Sequence, residues 1–132
     1  MGKLVRRSIH PATYHAMVAL FLSLLLTAVP FLLLGVGLSW PHLLAAWLVA
    51  VNLTTFGYYG YDKAQAQDAA RRVPEIVLHG LALAGGSVAA WFAMRLFRHK
   101  TLKGGFRGIF WCIVVLQIGL ICWIGYTIWF RR

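Results

Sequence analysis

Residues 75–107 read EIVLHGLALAGGSVAAWFAMRLFRHKTLKGGFR. An apolar run from Glu75 to Phe97 leads into a basic tract. Between Arg95 and Arg107 the tract carries five of the chain's 13 Lys and Arg and no acid. Two architectures fit it. If 75–97 crosses a membrane once, the tract lies on one face. If the run folds back at Gly85-Gly86, the tract lies on the other.

The rest of the chain fixes the class. It has 132 residues, 61% hydrophobic and 12% charged, with a formal net charge of +10. That is too apolar for an ordinary soluble domain. Besides 75–97, long apolar segments run over about 16–38, 43–59 and 108–130. Each is long enough to cross a hydrocarbon core of about 30 Å. The expected fold is an all-α integral membrane protein, a bundle of four transmembrane helices forming one domain over residues 1–132. The first segment, with Lys3, Arg6 and Arg7 before it, reads as an uncleaved span, since it is longer than a signal-peptide core. Pro41 suits the first turn of the second helix. Cys112 and Cys122 lie about 15 Å apart on one helix, so they read as packed thiols.

Charge distinguishes the two architectures. Lys and Arg near short loops concentrate in the cytoplasm. With four spans, eight such residues flank the termini and the 60–74 loop, against five in the tract. That places both termini in the cytoplasm. With a re-entrant hairpin at Gly85-Gly86, eleven share the N-terminal face and only Arg131 and Arg132 lie opposite. The hairpin satisfies the charge rule better. The four-span bundle is the simpler chain path, because irregular backbone in hydrocarbon must be covered by protein.

The second segment carries a polar stripe. Asn52, Thr55, Tyr59, Asp62 and Lys63 fall on one helix face. Lipid is a poor environment for that face, so it is expected to point into the bundle. Glu75 and His79, one turn apart, face it from the third segment, with Arg72 beside them. These residues form the candidate polar pocket. Glu75 also suits the first turn of a helix after Pro74. Arg98, His99, Lys100 and Lys103 form the candidate anion site, because cations beside a Gly pair suit phosphate oxygens. Two lines of small residues, Ala82-Gly86-Ala90 and Gly85-Ala89-Ala93, allow close packing within the bundle, in a homodimer or in a larger complex. Gln117 stands alone in mid-helix and is expected to bond another helix. The five histidines show no metal-ligand spacing, and the residues imply no cofactor.

The chain also resembles a known family. The stretch Asn52-Leu-Thr-Thr55-Phe56-Gly-Tyr-Tyr59-Gly60-Tyr61-Asp62-Lys63 carries the likeness. So do Arg72-Val-Pro74-Glu75, the Gly85-Gly86 pair, Met94 and Arg98-His99-Lys100-Thr101-Leu-Lys103. Over about residues 48–107 it is similar to a bacterial membrane family described as domain of unknown function twelve-ninety-four. The resemblance implies that stripe and tract belong to one unit. It implies no activity. Some relatives resemble fusions to a cold-shock domain, but no such domain occurs in these residues and no nucleic-acid partner is expected.

The leading functional expectation is a multi-pass protein of the bacterial inner membrane that binds an anionic, phosphate-bearing or lipid ligand. It would act as a small transporter or as a lipid-handling or accessory factor, with anionic membrane lipids as partners. The alternative is a structural subunit of a larger membrane complex. A membrane enzyme acting on a lipid headgroup ranks last, because three acids and no metal cluster leave few catalytic combinations.

Overall fold

A computed structural model describes residues 11–35, 37–68, 72–98 and 104–131. Among them helix is the regular secondary structure. The helices are α1 (Pro11–Leu33), α2 (Trp40–Ala64), α3 (Glu75–Leu81), α4 (Ser87–Phe97) and α5 (Gly104–Phe130), with a break over Ala82–Gly86 between α3 and α4. Four segments are long and apolar enough to cross a membrane: Pro11–Leu33, Trp40–Ala64, Glu75–Phe97 and Gly104–Phe130. The all-α membrane bundle expected from the sequence is what the chain forms.

Local chemistry sets the helix ends. α1 stops at Leu33, short of the apolar run's end at Leu38, because Gly35 takes a left-handed φ of 61°. Ser39 stands in extended conformation at the N-cap of α2, and Pro41 occupies its first turn as expected. α2 continues past Tyr59 to Ala64, so Asp62 and Lys63 ride on the helix. Hydropathy falls there while helicity persists. Glu75 occupies the first turn of α3 behind Pro74.

Contacts along α2 reveal the path of the third segment. At one end Asp62 accepts a hydrogen bond from the Val73 N–H (3.0 Å), and further along Trp47 Nε1 donates to the Ala84 carbonyl (3.0 Å). α3 therefore runs antiparallel to α2. Asn52 accepts from the Ala89 N–H (2.9 Å), and the Phe97 ring packs on Phe56, with centroids 5.3 Å apart, and against Gly60. α4 therefore runs parallel to α2, back toward the end where α3 began. α5 gives the same result. Phe106 stacks on His79 (4.2 Å), whereas Gln117 reaches Ala82, Leu83 and Ser87. The chain reverses at Gly85, whose φ is 120° and ψ is 1°. With 11 residues, α4 rises about 16 Å, roughly half the core.

Of the two architectures, the contacts thus form the re-entrant hairpin. The single crossing of 75–97 fails because Gly85 turns the backbone through a conformation open to glycine, and side chains of α2 and α5 hold it there. α1 also runs antiparallel to α2: Tyr58 donates to the His15 carbonyl (3.0 Å) and Ser23 to Thr54 (3.2 Å). The start of α1, the end of α2, the start of α3, the end of α4 and the start of α5 consequently share one end of the bundle. The 34–39 turn and the end of α5 lie at the other. The start of α1 and the end of α5 thus lie at opposite ends of the bundle.

Both small-residue lines are taken up inside the chain. Ala82, Ala90 and Ala93 are fully buried, Gly86 and Ala89 are buried, and Gly85 is half-buried. They let the hairpin approach α2 and α5 closely, the use of small residues typical of membrane helices.

Candidate functional site

A hairpin tip within hydrocarbon exposes backbone groups that lipid cannot bond. Here side chains cover them one by one. Gln117 Nε2 donates to the carbonyls of Ala82 (2.9 Å) and Leu83 (3.0 Å). Trp47 covers Ala84. Asn52 Nδ2 donates to the Gly85 carbonyl (3.0 Å) while its Oδ1 accepts from the Ala89 N–H (2.9 Å). Gly85 O and Ala89 N are the pair that would bond directly in an unbroken helix. The Asn52 amide thus stands in for one rung of the helical ladder. Ser87 donates to Gln117 Oε1 (2.6 Å), fixing that amide's orientation. Thr55 bonds its own Val51 carbonyl (2.6 Å) and packs against Gly86.

The stripe expected to form a continuous polar route divides accordingly. Asn52 and Thr55 belong to the tip. Tyr59 and Asp62, both fully buried, belong to a second cluster at the basic end. There Phe106 lies between His79, stacked at 4.2 Å, and Tyr59, edge-on at 6.3 Å. The Tyr59 hydroxyl is enclosed, with no hydrogen-bond partner among the described residues. Asp62 accepts the Val73 N–H and so ties the residues just before α3 to α2. Glu75 and Arg72 are half-buried at the same end. Lys63 points outward and leaves the pocket.

Arg98 ends α4 in a left-handed conformation, with φ 47°, and is exposed. His99, Lys100 and Lys103 lie outside the described residues. Arg98 nevertheless stands at the end of the bundle that carries Asp62 and Val73. The reversal at Gly85 therefore brings the start of the candidate anion site to the face of the polar cluster.

The model of the family described as "Protein of unknown function (DUF1294)" matches residues 52–106. The "Uncharacterized protein YsdA" of Bacillus subtilis (strain 168) is 38% identical over 65 residues, spanning 49% of this chain and 73% of that relative. The chain belongs to the DUF1294 family. No solved structure matches it. The DUF1294 segment opens on Asn52, which bridges the break, and closes on Phe106, which fills the space between Tyr59 and His79. It thus contains the hairpin and α2 from Asn52 onward, without α1, the tip contact Trp47 and most of α5.

Sequence reasoning anticipated that Gln117 bonds another helix. It missed Trp47 and Ser87 at the tip. The available signal was the Gly-Gly pair itself: a break within an apolar segment demands donors at the same depth.

Proposed function

We propose that the chain is a multi-pass protein of the bacterial inner membrane that binds anionic, phosphate-bearing headgroups at its basic end, as a lipid-handling or accessory factor. The observation that carries this reading is the reversal at Gly85. Among the described residues it brings Arg95, Arg98 and Arg107 to the end of the bundle that carries Lys63 and Arg72, with Arg131 at the other end. By the charge rule the richer end is cytoplasmic. Arg98, His99, Lys100 and Lys103 would hold the anion, and Tyr59, Asp62, Glu75 and His79 would form the adjoining wall. Arg98 stands at the end of the bundle that carries this cluster, which favours a single binding site over a permeation path. The test is the Arg98→Gln, Lys103→Gln double variant. Phospholipid co-purifying with the full chain should fall, and an unchanged lipid complement overturns the proposal.

One observation favours a second reading, a subunit of a larger complex. Phe106 and Phe110 are the buried residues of α5, and beyond Gln117 the helix meets little of its own chain. Native mass spectrometry of the chain extracted from its membrane discriminates: a protein partner held on α5 supports this reading.

A further inference from the structure

We infer that a water molecule is bound inside the basic end of the bundle, where it bridges the Tyr59 hydroxyl and the Asp62 carboxylate. The site goes beyond the headgroup reading and does not depend on it. Tyr59 is fully buried, and its hydroxyl is enclosed with no hydrogen-bond partner among the described residues. The Phe106 ring beside it, edge-on at 6.3 Å, offers no lone pair. Leaving a buried hydroxyl unbonded costs more than an ordinary hydrogen bond contributes. Buried polar groups in folded chains are therefore bonded to protein or to ordered water.

Asp62 supplies the other end of the bridge. It lies one turn further along α2, on the same helix face, and is also fully buried. Its carboxylate is within electrostatic reach of Tyr59 but does not accept the hydroxyl directly. That separation suits a bridge one small molecule long. One Asp62 oxygen accepts from the Val73 N–H (3.0 Å). A carboxylate offers about four acceptor positions, so it can take a further donor beside Val73. Water matches both ends: its oxygen accepts from tyrosine, and a hydrogen goes to the carboxylate. Such a molecule is held by about two to four polar partners. A lipid ester or phosphate oxygen fits less well, because it brings no hydrogen for Asp62. The bridge steadies the carboxylate that ties the residues before α3 to α2. Tyr59 is thus a positioning residue for Val73, acting through the water and Asp62.

The experiment is infrared spectroscopy of hydrated membrane films of the full chain, wild type minus Tyr59→Phe, in ordinary and in heavy-oxygen water. The difference spectrum should show the tyrosine O–H stretch at a hydrogen-bonded frequency, with a second O–H band that moves in heavy-oxygen water. A tyrosine band at the free O–H frequency overturns the proposal. A bonded tyrosine band without that companion places the acceptor in protein or lipid, and overturns it too. The same variant should speed hydrogen exchange at the Val73 N–H about fivefold, the equivalent of one ordinary hydrogen bond. Unchanged exchange at Val73 overturns the bridge to Asp62. Should Tyr59→Phe fail to fold, wild type minus Asp62→Asn is judged instead: both bands should move when an amide replaces the carboxylate, and unmoved bands overturn the site. Lipid co-purification with the Arg98→Gln, Lys103→Gln variant tests the headgroup reading separately, so either inference can fail without the other.

Discussion

The half of the bundle that holds the hairpin and the half beyond its tip use polar side chains differently. Beyond the tip, polar groups bond their own neighbourhood: Thr127 donates to the Ile124 carbonyl (2.8 Å), and His42 contacts Ser39 (2.8 Å) and the Gly37 carbonyl (3.1 Å). In the hairpin half they reach across the sequence. Asn52 meets Gly85 and Ala89, Gln117 meets Ala82 and Leu83, Asp62 meets Val73, and Tyr58 meets His15. Where the backbone is regular, a membrane helix needs no polar help from outside. Where it breaks, each freed group recruits a side chain from another segment.

The largest test of this contrast is all-or-none. With Cys112→Ser and Cys122→Ser as background, Lys103→Cys and Asp68→Cys should react with an impermeant thiol reagent from one side of the membrane, and Arg131→Cys from the other. Labelling of Asp68→Cys together with Arg131→Cys, and apart from Lys103→Cys, breaks the hairpin. Next, Asn52→Leu orphans the Gly85 carbonyl and the Ala89 N–H, and should cost about 3 kcal/mol, read by SDS-titrated unfolding of the detergent-solubilised chain. A value near zero would show that the tip does not depend on that amide. Gly86→Ala places a Cβ into Thr55 and 2.8 Å from the Leu81 carbonyl; a loss of about 2–3 kcal/mol is expected in the same titration. Arg98→Gly relieves a left-handed arginine and should stabilise by about 1 kcal/mol, while weakening anion retention if the tract binds it. The smallest effect belongs to the outer half: Ile121→Ala, on an exposed face of α5, should stay within about 0.5 kcal/mol. A cost as large as that of Gly86→Ala would mean that α5 has a partner there.

Much of this was legible because it is local. Apolar length marks four segments, Pro41 and Pro74-Glu75 mark helix starts, and Gly85-Gly86 marks the break. The reversal was not legible from those glycines alone. A left-handed glycine permits a bend of any size, and the direction is set by bonds to Asn52 and Gln117, each at least 31 residues from Gly85 in the sequence. The stripe was legible as a face but not as two sites, because helical periodicity cannot say where along α2 a neighbour turns back. The seat of Phe106 between Tyr59 and His79 depends on the register of α5 against α2 and α3, which no local signal encodes.

The bonds at the tip also impose an order of events during synthesis. Asn52 and Trp47 precede Gly85 in the chain, so the partners for the Ala84 and Gly85 carbonyls have already emerged when the hairpin follows. Gln117 emerges later. Until it arrives, the carbonyls of Ala82 and Leu83 must find a temporary partner, either water at the membrane surface or the insertion machinery. The hairpin can therefore settle to its full depth only once the last helix is made, and a nascent chain cut short before Gln117 should hold it nearer the surface.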